Sequence, residues 1–196
     1  MLKRTFDILF SFLGIIILLP FFVIIYILVS VTSRGNVFYF QKRVGKDNKD
    51  FKLFKFRTMF IDADKKGLLT VGGRDARITP LGYYLRKYKL DELPQLFNVL
   101  FGSMSLVGPR PEVRKYVELY NTEQKKVLNV KPGITDYASL EYFNENELLG
   151  AAKDPEKVYI EQVMPAKLAL NKRYITEAGL LTDIKIIFRT LGRIFS

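Results

Sequence analysis

Asp91 and Glu92 stand side by side in KLDELPQ, after a basic run holding Arg86, Lys87 and Lys89. Further cations occur as Lys55 and Arg57 in KFRTM and as Arg110 between two prolines in GPRP. A site combining such cations with two carboxylates suits a diphosphate, with Mg²⁺ bridging carboxylate and phosphate oxygens. An Asp carboxylate can also form an acyl-phosphate, a covalent route that needs neither His nor Cys. The chain contains neither. Disulfides, thiolate or imidazole zinc sites, Cys nucleophiles and a Ser-His-Asp triad are therefore excluded. On the residues alone the dyad keeps a second reading, as two charges favourable at a helix N-terminus.

Gly108 in LVGPRP permits close backbone approach to a phosphate, while Pro109 and Pro111 hold Arg110 extended. Arg suits a bidentate grip on phosphate oxygens, although GPRP also reads as a rigid turn. Gly133, after KP, also reads as a helix stop. Neither a Walker A loop nor a Rossmann glycine fingerprint occurs, and VGGRDARITP lacks the required spacing.

The elements that must position these residues begin with 24 uncharged residues, Ile8 to Val31. As a straight helix they reach ~36 Å, enough to cross a ~30 Å hydrocarbon core. The segment is too long for a signal-peptide core, and no cleavage-site pattern follows it. Pro20 lies near its middle, and Lys or Arg flank both ends (Lys3 and Arg4, then Arg34, Lys42 and Arg43). Positive charge on both flanks disfavours opposite sidedness, so a kinked spanning anchor and a re-entrant helix broken at Pro20 both stand.

Val37–Gln41 and Phe51–Arg57 read as strands around a charged turn. Leu81–Tyr88, Asp91–Leu100, Glu112–Tyr120, Thr122–Val130 and a longer segment opened by Asp154-Pro155 and bent at Pro165 read as helices. Leu180–Phe195 is a basic amphipathic helix, suited either to a membrane surface or to a core with a solvated face. The expected fold is α+β and mostly helical. Residues 1–33 form the membrane helix, and residues 34–196 one compact domain with short strands and interfacial amphipathic helices. A net charge of +11, from 31 Lys and Arg against 20 Asp and Glu, favours a polyanionic partner.

Together these motifs resemble the small monotopic bacterial phosphoglycosyl transferases, also called undecaprenyl-phosphate sugar phosphotransferases. The resemblance runs nearly end to end, through KRTFDILFSFLG, FYFQKRVGKDNKDFKLFKFRTM, LDELPQLFNVLFGSMSLVGPRPE and KPGIT. It implies a ping-pong transfer of sugar-1-phosphate from a UDP-sugar to polyprenyl phosphate, with release of UMP. This is the first membrane step of surface glycan assembly, at the cytoplasmic face of the bacterial inner membrane. By motif, Asp91 is the nucleophile and Glu92 its dyad partner, both being candidate Mg²⁺ ligands. Lys55, Arg86 and Arg110 match phosphate-binding positions, and Pro20 the break of a re-entrant helix.

Many relatives read GITGWAQVNGRN where this chain has GITDYASLEYFN, so Phe143 stands where they carry Arg. Asp136, Tyr137 and Glu141 are accordingly candidates for donor recognition. Two other classes compete: a membrane-anchored basic module for nucleic acid or acidic lipid, and a glycosyltransferase that moves only the sugar. The first leaves the dyad and GPRP unexplained and has no nucleic-acid motif. The second would release UDP. Apolar surface facing lipid or a second subunit leaves a homodimer open.

Overall fold

The computed structural model describes residues 2–63, 67, 69, 70, 72 and 75–195. Val71, Gly73 and Arg74 of the VGGRDARITP stretch lie outside them. The fold is mostly helical (61%) with two small sheets, in line with the expected class.

Helix α1 runs from Leu2 to Thr32. Its helical structure is continuous through Pro20, which corrects the expected division into two separate arms. Proline removes one hydrogen bond from a long helix, and the remaining bonds are retained where no water competes for them. Only 17% of its most apolar window is buried inside the protein, too little for a core helix. Both ends of α1 are nevertheless fastened to the same body. Near the start, Arg4 donates to the carbonyls of Val99 and Leu100, and Asp7 accepts from the Ser105 hydroxyl and the Leu106 amide. Near the end, Phe22, Ile25 and Val29 pack with Val37, Phe56 and Leu85, and Arg57 donates to the Ser33 carbonyl at 2.8 Å. Burying such side chains contributes about 1.5–3 kcal/mol each.

Strands β1 (Phe38–Val44) and β2 (Asp50–Phe56) form an antiparallel hairpin in which Tyr39 faces Lys55 and Phe40 faces Phe54. Alternation puts Phe38, Phe40, Phe54 and Phe56 on one face. Phe56 meets Phe22 of α1 there, while Lys55 points away from that aromatic layer. The turn between the strands uses Asp47 and Asn48 in left-handed conformation, which short polar side chains tolerate.

Helix α2 (Pro80–Lys87) starts on a Thr79 cap that accepts from the Gly82 amide, with Pro80 at its first turn. A 3₁₀ turn, Leu90–Glu92, separates it from α3 (Gln95–Phe101). The single helix expected over Asp91–Leu100 is thus corrected: the dyad lies on the 3₁₀ turn, which Lys89 introduces in left-handed conformation.

The expected loop after α3 contains strand β3 (Ser105–Val107), paired in parallel with β4 (Gly133–Thr135). Two glycine readings change with it. A Cβ on Gly108 would lie 2.6 Å from the Lys131 carbonyl, and one on Gly133 would overlap Gly108 itself. Gly108 therefore admits a neighbouring strand rather than a phosphate, and Gly133 pairs in a sheet rather than ending a helix.

The remaining helices are α4 (Arg114–Val117), α5 (Thr122–Lys125), α6 (Tyr137–Glu141), α7 (Glu145–Gly150), α8 (Pro155–Val158), α9 (Met164–Glu177) and α10 (Leu180–Phe195). The helices expected over Glu112–Tyr120 and Thr122–Val130 shrink to α4 and to α5 with a 3₁₀ turn. Between α8 and α9 the chain makes a π turn, Tyr159–Val163, immediately before Pro165. A widened turn of this kind accommodates the missing proline N–H without ending the helix. The main core gathers Val44, Val117, Leu149, Val163 and Leu168 from β1, α4, α7 and the α8–α9 segment.

Candidate active site

The dyad's two carboxylates are treated differently. Glu92 is bound by two cations: Lys55 Nζ at 3.1 Å on Oε1, and Arg110, whose guanidinium grips both carboxylate oxygens. Asp91 is 4% exposed, yet among the described residues its carboxylate takes part in no hydrogen bond or ion pair. Lys55, Glu92, Arg86 and Lys89 all act on it electrostatically.

The two protonation equilibria are accordingly pushed apart. Burial raises the Asp91 carboxyl above its usual range; Lys55 opposes this and the neighbouring Glu92 adds to it. Burial works against the Glu92 anion too, but Arg110 and then Lys55 outweigh it and hold that carboxyl well below the carboxylate range. Glu92 in turn raises the Arg110 pKa, while burial lowers that of Lys55.

Each partner arrives from a different element. Asn98 on α3 accepts from the Phe54 amide at 2.9 Å and donates to the Lys52 carbonyl at 2.8 Å. It replaces a missing strand along β2 and fixes the register that delivers Lys55. Arg110 follows β3, where Gly108 donates to the Thr135 carbonyl and Gly133 to that of Pro109. Its own backbone amide donates to Asp136 Oδ2 at 3.2 Å.

The structure therefore brings Asp91, Glu92, Lys55 and Arg110 together, with Arg86 in the same electrostatic neighbourhood and donating to Thr70 at 3.0 Å. Asp136 is fully buried, caps α6 through the Ser139 amide, and supports Arg110 from behind. Tyr137 is turned towards α9, its hydroxyl donating to Glu177 and its ring lying by Tyr174 and Arg173. Glu141 is exposed. No described contact joins either residue to the dyad, because the Asp136 cap sets the phase of α6 and directs Tyr137 away. Phe143 does reach the site's edge: Lys89 lies 5.1 Å and Arg193 5.6 Å from its ring centroid. Sequence reasoning placed Lys89 in the basic run before the dyad without assigning it to the site, and passed over Asn98. Lys89's position two residues before the dyad was the available signal, whereas the Asn98–β2 contact left none.

A shielded carboxylate among cations is an arrangement suited to chemistry on an anionic substrate, and it occurs here in a protein with one long, largely exposed apolar helix. The chain belongs to the bacterial sugar transferase family, whose profile matches residues 1–196. It is 35% identical over 198 residues to the UDP-N-acetylgalactosamine-undecaprenyl-phosphate N-acetylgalactosaminephosphotransferase of Aeromonas hydrophila, covering 100% of this chain and 44% of that protein. It is 37% identical over 196 residues to a UDP-glucose:undecaprenyl-phosphate glucose-1-phosphate transferase of Klebsiella pneumoniae, covering 98% of this chain and 40% of the relative. The exopolysaccharide production protein ExoY of Rhizobium meliloti (strain 1021) is 32% identical over 206 residues, covering 97% and 84%. The chain thus spans less than half the length of the first two.

Proposed function

We propose that this protein transfers sugar-1-phosphate from a UDP-sugar to polyprenyl phosphate, with Asp91 as the covalent nucleophile. The observation that carries this reading is the asymmetry of the dyad: Glu92 is held by Lys55 and Arg110, while among the described residues Asp91 has no such partner. In the first step an Asp91 oxygen bonds to the sugar-bearing phosphorus, the bond to the bridging oxygen breaks, and UMP leaves with that electron pair. In the second, a polyprenyl-phosphate oxygen bonds to the same phosphorus and the Asp91–phosphorus bond breaks, giving polyprenyl diphosphate-sugar and free Asp91. Lys55, Arg86 and Arg110 neutralise charge on the phosphoryl oxygens, and Glu92 keeps two of these cations aligned. The names of the relatives support both the undecaprenyl-phosphate acceptor and UDP-sugar donors.

Mg²⁺ suits a site with one available carboxylate, since it binds through one or two carboxylates together with substrate phosphates. Asp91 fits that part; Glu92 would first have to release Lys55 or Arg110. When bound, the ion would neutralise charge on the diphosphate.

The re-entrant topology, with the catalytic body on the cytoplasmic face of the inner membrane, belongs to the same reading. Its support is that Arg4 and Asp7 at one end of α1, and Val29 and Ser33 at the other, hold the same body. Along α10, Asp183 and Ile186 are buried while Leu181, Ile184, Phe188 and Leu191 are exposed, an apolar ridge suited to the bilayer surface.

The test is UMP release from a panel of UDP-sugars by purified protein with polyprenyl phosphate and Mg²⁺. Wild type should release UMP, and Asp91→Asn should lose both turnover and the covalent phosphosugar adduct. Release of UDP would establish a transferase that moves only the sugar. Full activity of Asp91→Asn would remove the proposed nucleophile.

A further inference from the structure

Lys89 carries a side chain in left-handed backbone conformation (φ 55°, ψ 19°), where L-residues other than Asn and Asp are uncommon. The reversal turns it back into the field of Glu92, Arg110, Asp91 and Arg86. Lys89 is half-buried. Among the described residues no carboxylate lies within ion-pair distance of it. What it does contact is the ring of Phe143, at 5.1 Å from the centroid. Arg193, from the far end of α10, lies against the same ring.

A surface cation resting on an aromatic ring is ordinarily just packing. Here the surroundings argue for more. Four cations (Lys55, Arg86, Lys89 and Arg110) act within one field on two carboxylates, Asp91 and Glu92. The other carboxylates near Arg110 are engaged elsewhere: Glu145 by Lys167 at 2.7 Å, and Asp136 by the Ser139 and Arg110 amides. The cations outnumber the carboxylates of the dyad, which suits an anionic diphosphate. Lys89 is the one member of the four that neither pairs with the dyad nor donates to a described side chain.

We propose that Lys89 is a ligand of the donor's diphosphate, and that Phe143 is the positioning residue that holds its ammonium at the site. The proposal rests on the reading given under Proposed function and extends it to donor binding.

The experiment measures UDP affinity by calorimetry in Mg²⁺, and donor and acceptor KM with wild type, Lys89→Gln, Phe143→Leu, Phe143→Tyr and the double variant Lys89→Gln/Phe143→Arg. Lys89→Gln should weaken UDP binding and raise donor KM about 10-fold, the scale of one charge-assisted contact, with acceptor KM and melting temperature unmoved. Phe143→Leu should shift donor KM in the same direction, and Phe143→Tyr should restore it. The double variant should recover most of the affinity lost by Lys89→Gln. Unchanged UDP affinity and donor KM in Lys89→Gln would overturn the proposal, as would wild type that does not bind UDP. The two readings fail separately. Lys89-dependent UDP binding without UMP release sinks only the proposed reaction, whereas UMP release with an unmoved donor KM in Lys89→Gln sinks only the Lys89 assignment.

Discussion

At the scale of single residues, the dyad divides two tasks between adjacent carboxylates. In the proposed mechanism Asp91, whose pKa is raised, must be ionised to attack phosphorus, so the acid limb of kcat/KM for the donor should lie above the ordinary Asp value of about 3.9. The same shift has a stability sign. A carboxyl with a raised folded pKa binds its proton more tightly folded than unfolded. Its stabilising contribution is present below the unfolded value and is lost as pH rises through the folded one. Asp91→Asn should therefore melt higher than wild type near neutral pH, while losing turnover. Near pH 4 the gain should shrink, and thermal melts at the two pH values measure it. Glu92 has the opposite sign: its lowered pKa gives stability that is present above the unfolded value and lost as pH falls through the folded one. Glu92→Gln leaves Lys55 and Arg110 without their counter-charge. It should cost about 2 kcal/mol near neutral pH, the value for a broken buried pair reduced for partial exposure of Arg110, as read from denaturant midpoints.

At the scale of elements, the site depends on contacts between segments far apart in the chain. Asn98 joins α3 to β2 by two hydrogen bonds, so Asn98→Ala should destabilise by about 1–3 kcal/mol and lower turnover, because β2 carries Lys55. Circular dichroism melts and UMP release check the two effects. Gly133→Ala would force a methyl into Gly108 and should cost about 3 kcal/mol or prevent folding, read from yield and melting temperature. These elements also mark how far sequence patterns reach. Period-two alternation disclosed the β1–β2 hairpin, and Leu180–Phe195 is the helix that period 3.6 gave. The family motifs drew attention to Lys55, Arg86 and Arg110. What local patterns did not carry was set by tertiary contact. The 3₁₀ turn under the dyad follows from the reversal at Lys89, and the glycines of LVGPRP and KPGIT meet each other rather than a ligand. Tyr137 and Glu141 were candidates because their segment departs from the family pattern, yet the Asp136 cap turns Tyr137 to Glu177.

At the scale of the whole molecule, the question is how a helix with this much exposed apolar surface sits in a bilayer. Ile17, Phe21, Ile24 and Ile27 are all exposed near its middle, while both ends bind the polar body through Arg4, Asp7 and Ser33. A spanning arrangement would put the two ends on opposite sides of a hydrocarbon core about 30 Å thick and would break one set of these contacts. Releasing Arg4 would strip a cation from two carbonyls, and releasing Asp7 would expose a buried carboxylate that accepts from Ser105 and Leu106. In the proposed re-entrant arrangement the apolar middle enters and leaves the same leaflet, and Pro20 is where one hydrogen bond is already absent. The start of α1 is tied to α10 as well, since Lys3 pairs with the buried Asp183 and donates to the Tyr174 hydroxyl. Under the proposed topology, the placement of α10 and that of α1 are thereby mechanically linked. Because the chain has no Cys, single cysteines at Leu2 and Asn36 report sidedness cleanly. Both should react with an impermeant thiol reagent only after the cytoplasmic face is exposed, in spheroplasts and inverted vesicles compared side by side. Labelling of one position from outside and the other from inside would restore a spanning helix and require the Arg4 or the Ser33 contacts to be absent in the membrane.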